Sequence, residues 1–175
     1  MNREAIEEVR QFYNNADQFE GGEWGRLEAN PFEFELTTWM MDRYIQPGHS
    51  VLDIGGGPGR YSIYYAQKGC AVTLAELSEV NVEMARKQAA LAGAAFEAYA
   101  VNCLELERLG LGQFDHVLLM GPLYHLLDPA DQVEAVNITP FKAGRQAVCR
   151  VYPCIWRHCI RTSAPGCAFR LLEFS

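Results

Sequence analysis

The run Val51-Leu-Asp-Ile-Gly-Gly-Gly-Pro-Gly-Arg60 constrains this chain more than any other stretch. Val51, Leu52 and Ile54 enclose one carboxylate, Asp53, and four glycines crowd the next five positions. A short apolar run that breaks into glycines and then into a helical pattern reads as strand, tight turn, helix. Glycine is required where the backbone takes φ > 0 or where a ligand must touch main chain with no Cβ between. The stretch therefore predicts a nucleotide or nucleoside pocket at the carboxyl end of the first strand of an α/β sheet. A plain turn is the other way to use the same glycines.

The rest of the chain is built to carry such a sheet. At 175 residues, with 49% apolar and 21% charged side chains, it predicts one domain with a genuine core. No apolar run approaches the roughly 18 residues that mark a membrane helix, and Glu4, Glu7 and Glu8 do not suit a signal peptide. A soluble, cytoplasmic protein is expected. The net charge of −7 argues against a nucleic-acid backbone as partner and favours a small molecule.

Helical spacing is predicted over Ala5 to Phe19, broken by Gly21-Gly22, and again after Asn30-Pro31 with Phe34, Trp39, Met40 and Tyr44 mostly on one face. Beyond the glycines come a helix over Tyr61–Lys68, a strand from Cys70 to Glu76, and a helix over Val80–Leu91 capped by Ser78. A strand over Ala94–Val101 follows, then a loop, a strand over Phe114–Met120, and a helix opened by Asp128-Pro129 and running to about Val136. This alternation predicts a doubly wound, mainly parallel sheet with right-handed crossovers.

Details decide which nucleotide. In the dinucleotide fingerprint a third glycine lies inside the helix; counted from Gly55 or Gly56, that position falls on Arg60 or Tyr61, both too bulky. A dinucleotide-dependent oxidoreductase is thus the weaker reading. The pattern Gly55, Gly57, Gly59 led by Asp53 resembles motif I of the class I S-adenosylmethionine-dependent methyltransferases. The segments Glu23-Trp-Gly-Arg-Leu-Glu28 and Phe114-Asp-His-Val-Leu-Leu-Met-Gly-Pro-Leu-Tyr-His-Leu126 resemble a bacterial group of small enzymes of that kind, and the likeness runs from about Tyr13 to Val136.

The resemblance implies a Rossmann-like class I methyltransferase fold, S-adenosylmethionine as cofactor and a small-molecule methyl acceptor. It implies that Gly55, Gly56, Gly57 and Gly59 let the cofactor approach the backbone while Asp53 favours its cationic end. Glu76, followed by Leu77, would hold the ribose; its plain alternative is an acidic neighbour of the Ser78 cap. Asn102 and Cys103 would meet the adenine, with Asn where the family usually has Asp, and a simple turn residue as the alternative. Met120, Tyr124 and His125 fall at motif IV, beside the transferred methyl, and Tyr124 and His125 are the candidate catalytic residues. Trp24, Arg26 and Glu28 would form part of a lid, or only a packed linker. A metal site is not expected: there is no Cys-x-x-Cys, and His158-Cys159 lacks ligand spacing.

The domain expected is a methyltransferase core over 1–137 with N-terminal cap helices, followed by an atypical tail over 138–175. After position 137 the charge reverses: Lys142, Arg145, Arg150, Arg157, Arg161 and Arg170 face Glu173 alone, and Cys149, Cys154, Cys159 and Cys167 gather there. A family member would continue into a Lys-Pro-Gly-Gly-like turn and an apolar fifth strand. Ile138-Thr-Pro-Phe-Lys-Ala-Gly-Arg stands there instead. Read one base later with permitted codons, the tail can give a basic, glycine-bearing turn and an apolar run. A frame change is therefore expected, leaving a sheet without its last strands and a cofactor-binding protein with impaired turnover.

Overall fold

The computed structural model describes residues 3–15, 22–29, 31–149 and 168–171, and over 141–149 and 168–171 the backbone alone. Three helices come first: α1 (Arg3–Asn14), α2 (Gly22–Glu28) and α3 (Pro31–Met41). Then follow β1 (Ser50–Ile54), α4 (Arg60–Gln67), β2 (Ala71–Glu76), α5 (Glu79–Leu91), β3 (Glu97–Ala100), β4 (Phe114–Leu119) and α6 (Pro129–Asn137). The last elements are β5 (Phe141–Cys149) and β6 (Ala168–Leu171). All pairings are parallel, and the strand order is β3-β2-β1-β4-β5-β6. The expected doubly wound sheet is present, with its order reversing between β1 and β4. That reversal opens a crevice above the carboxyl ends of these strands, where such sheets take their ligands.

The central strands are apolar on both faces because helices cover both. Leu52, Ile54, Val117 and Leu119 pack with Leu123, Leu126, Ala135 and Val136 beneath α6. One residue over in each strand, Val51 and Leu118 pack with Met41, Ile45 and Tyr65 on the opposite side. Leu74 joins Val82 and Ala85 of α5. Ser78 caps α5 as the sequence predicts, accepting from the Asn81 N–H at 3.1 Å.

Several boundaries differ from the expectations; β3, for one, begins at Glu97 and not Ala94. α1 stops at Asn14, and the rest of the predicted helix, from Ala16 on, lies outside the described residues. Gly22–Glu28, whose Trp24, Arg26 and Glu28 are expected in a lid or a packed linker, is a helix whose Glu23 and Arg26 pair one turn apart. The loop after β3 winds into a 3₁₀ turn, Cys103–Leu109, because the Asn102 side chain accepts from the Leu104 N–H at 3.0 Å. Where the sequence ends the sheet after its fourth strand, the backbone continues into β5 and β6. β5 follows β4 with a register break between Phe114 and His116. Strand pairing uses main-chain groups that every residue but proline carries, so an atypical sequence can still occupy this position. The remaining tail lies outside the described residues.

Candidate functional site

At the strand ends the glycine loop and the turn after β4 meet backbone to backbone. A Cβ on Gly55 would lie 2.4 Å from Pro122 Cγ, and one on Gly121 would lie 3.0 Å from the Gly55 carbonyl oxygen. Gly55 and Gly57 take φ of 65° and 55°, the left-handed conformation that the loop needs. Below the loop, Asp53 is 1% exposed and accepts from Ser62 Oγ at 2.7 Å. Burial pushes its carboxyl up to about 6, against the opposing Ser62 bond. Gly56 rests on this carboxylate: a Cβ there would come within 2.4 Å of Asp53 Oδ2.

Glu76 ends β2 with both carboxylate oxygens anchored. Oε2 accepts from the Gly57 N–H at 3.0 Å and Oε1 from the Ser78 N–H at 2.9 Å. Burial raises its pKa, and the N–H groups of Ser78, Gly57 and Leu77 work the other way. One carboxylate thus ties the loop after β1 to the start of α5. Asn102 and Cys103 follow β3 on the same rim. Asn102 caps the 3₁₀ turn, the plain role its position offered, while still facing the cavity. Burial lifts the Cys103 thiol to about 12, so it meets a ligand as a neutral surface and not as a nucleophile.

Past β4, Tyr124 ends the 3₁₀ turn Pro122–Tyr124 and His125 follows. His125 Nε2 lies 2.9 Å from the Tyr13 hydroxyl of α1, their rings edge to face. Burial lowers the His125 pKa. It raises that of Tyr13, with Glu23 and Glu76 adding to the rise. Both groups are therefore neutral, and the direction of the bond between them follows the imidazole tautomer. Asn14, next to Tyr13, fastens α1 to α5: its Oδ1 accepts from Ser78 Oγ at 2.7 Å and its Nδ2 donates to Glu79 at 3.0 Å.

These groups enclose a cavity of about 420 Å³, within the roughly 300–1,000 Å³ usual for small-molecule sites. The structure brings Asp53, Gly55, Gly56, Gly57, Glu76, Leu77, Asn102, Cys103, Met120, Tyr124, His125 and Arg26 to its walls. Gly59, Trp24 and Glu28 do not line it. A Cβ on Gly59 would press on Ala85 at 3.0 Å and Phe96 at 3.3 Å, so its bare backbone serves the packing of α4 on α5. Tyr13, Glu23, Leu27, Glu33, Arg60 and Tyr61 line the cavity without having been singled out as site residues. Arg60 reaches back to the Leu27 carbonyl and lies over the Phe34 ring, tying α4 to the cap. Among the described residues no cluster of His, Cys, Asp and Glu could hold a metal, and no helix is long and apolar enough to cross a membrane.

Comparison with known proteins agrees with the fold. The ubiquinone biosynthesis O-methyltransferase of Pseudomonas paraeruginosa is 32% identical over 110 residues, covering 63% of this chain and 46% of that protein. The chain thus spans about half the length of this relative. Among solved structures, the N-methyltransferase NodS of Bradyrhizobium japonicum WM9 with S-adenosyl-L-homocysteine superposes with a TM-score of 0.64. It is 19% identical and covers 81% of this chain and 70% of that one. Magnesium protoporphyrin IX methyltransferase of Synechocystis PCC 6803 with bound SAM gives 0.59 at 20% identity, covering 78% and 71%. At such identities these two likenesses speak for the fold. The profile of the family described as "Methyltransferase domain" matches residues 51–138, half of the chain and every strand that lines the cavity. The chain belongs to that methyltransferase family.

Proposed function

We propose that this chain binds S-adenosylmethionine and transfers its methyl group to a small-molecule hydroxyl or amine. The observation that carries this reading is the floor of the cavity. Two buried carboxylates, Asp53 and Glu76, flank a glycine loop whose bare backbone admits no side chain. That floor offers negative charge and main-chain contact to a cationic nucleoside, and no phosphate cradle. The residues fit the cofactor. Gly55, Gly56 and Gly57 would receive its methionine end with Asp53 beneath, and Glu76 would accept from the ribose hydroxyls. Leu77, Asn102 and Cys103 would border the adenine, and Met120 would stand beside the reacting end.

When bound, the cofactor supplies a methyl group already activated by a positive sulfur, so the protein's task is alignment and proton removal. His125, neutral through burial, can accept a proton at Nδ1 in the tautomer whose Nε2–H donates to the Tyr13 oxygen, and that bond fixes the direction of its ring. Tyr124, next to it in the chain, also lines the cavity and would face an acceptor there. Every group in this scheme belongs to the 1–137 core; among the described residues the tail adds β5 and β6 to the sheet beyond β4. Titration calorimetry with adenosylhomocysteine and, separately, NAD⁺ tests the reading. Saturable binding of the first and none of the second is expected, and the reverse would make the chain a dinucleotide-binding protein.

A further inference from the structure

α2 carries Glu23 and Arg26 onto the wall of the cavity, above the glycine loop. The nearest atom to a Cβ placed on Gly57 is Glu23 Cγ, at 3.9 Å. Arg26 Nε donates to the two Glu23 oxygens at 2.9 and 2.8 Å, and a second guanidinium nitrogen also meets Oε1. The pair is lopsided: the Glu23 side chain is 12% exposed and that of Arg26 42%. Tyr13 feels both charges, so the pair lies on the side of the cavity where Tyr13 meets His125. Ion pairs one turn apart on an exposed helix contribute little to stability, and sinking one carboxylate against a loop adds a desolvation cost. Stability of a seven-residue helix is therefore a poor reason for this arrangement.

Side by side, a carboxylate and a guanidinium are the electrostatic complement of an α-ammonium beside an α-carboxylate. The methionine end of the cofactor carries those two groups and, in the reading above, lies on this loop. We propose that Glu23 and Arg26 form a two-point receptor for the zwitterionic amino-acid end, Glu23 taking the ammonium and Arg26 the carboxylate. Each then exchanges bonds to its neighbour for bonds to the ligand. The planar fork of Arg26 suits a carboxylate, and its greater exposure lets it turn from Glu23 to the ligand. This inference rests on the cofactor reading and adds a consequence: the site selects adenosine thioethers by their amino-acid end.

Calorimetry on the full chain with three ligands tests it. Adenosylhomocysteine carries both charged groups, its decarboxylated analogue carries only the amine, and 5′-methylthioadenosine carries neither. Arg26→Gln should weaken adenosylhomocysteine roughly tenfold, the low end for a hydrogen bond to a charged group, and leave the other two within about twofold. Glu23→Gln should weaken adenosylhomocysteine and the decarboxylated analogue by a similar factor and spare 5′-methylthioadenosine, whose retained binding also reports a folded site. Equal losses for all three ligands, or no loss for any, would overturn the receptor. If the unaltered chain bound none of the three, the cofactor reading itself would fall, and the receptor with it.

Discussion

The floor and the roof of the cavity are built on different principles. The floor is strand ends and main chain: Asp53 and Glu76 are 1% and 7% exposed, each held by hydrogen bonds from its surroundings, and Gly56 cannot carry a side chain. The roof is α1 and α2, neither of which contains a buried residue. It is fastened by the Tyr13–His125 bond, the contacts of Asn14, and a 3.6 Å ion pair from Arg10 to Glu79. Contacts of the roof's kind are worth about 1 kcal/mol or less apiece. Such contacts hold the roof less firmly than the core holds the floor. On the reading proposed above, the floor is organised in advance for the nucleoside of the cofactor, and the roof supplies the charged pair that would meet its amino-acid end.

The contrast is sharpest in Gly56→Val. The added side chain would strike Asp53 and Leu74 within 2.6 Å, and neither can withdraw from the core. A loss of about 3 kcal/mol or more is expected, seen as a melting point lower by roughly 6–12 °C. Glu28→Ala, on the exposed surface of α2, should change stability by no more than about 0.5 kcal/mol. Similar shifts for the two would erase the distinction.

Acid should separate the two regions by sign. Asp53 has its pKa raised to about 6 in the fold, so between about pH 4 and 6 the folded chain holds this proton and the unfolded chain releases it. Its contribution to stability falls as pH rises through that window and levels off above it. Asp53→Asn lacks this slope. Relative to the unaltered protein, it should therefore gain on the order of 2–3 kcal/mol between pH 4 and 7, read by denaturant unfolding at each pH. Glu79 of α5, to which the roof is fastened, has its pKa lowered, chiefly by the Asn14 bond, and its contribution runs the other way, lost as pH falls. A flat difference between Asp53→Asn and the unaltered chain would mean that Asp53 is not held as described.

Two milder substitutions probe the ligand side. Glu76→Ala should weaken adenosylhomocysteine by about 1.5–3 kcal/mol, the scale of hydrogen bonds to a charged group. Tyr13→Phe should cost about 0.5–1.5 kcal/mol in stability, since the ring stays and only its bond to His125 is lost. It should leave adenosylhomocysteine affinity almost unchanged. A Tyr13→Phe loss in affinity matching that of Glu76→Ala would place the roof in contact with the cofactor's nucleoside.

The floor was legible in the sequence because its parts are local. Asp53, the glycines and Glu76 sit at ends of runs whose apolar pattern already marks them as strands. Gly59 shows the limit of that reading: a glycine in the motif reports that a side chain is not tolerated, without saying whether ligand or helix requires the space. Here Ala85 and Phe96 take it. The roof was legible only in part. Tyr13 falls on the apolar stripe of the first helix, and nothing local says that its hydroxyl meets a histidine 112 residues away. A hydroxyl-bearing ring among Ile6, Val9 and Phe12 was the available sign. Glu23 opens the Glu23–Glu28 segment that carries the resemblance, just before the lid candidates, and its i,i+3 spacing from Arg26 was the sign of the pair. The strand at Phe141–Cys149 escaped because its residues do not form the apolar run expected there, while its pairing needs only main chain.

A crystal structure of the full chain with adenosylhomocysteine tests the division into floor and roof most directly. Both ribose hydroxyls should lie within hydrogen-bond distance, about 3 Å, of Glu76, with the amino-acid end over Gly55–Gly57 and the sulfur turned towards His125. A ribose away from Glu76, or a ligand held by α1 and α2 alone, would contradict it.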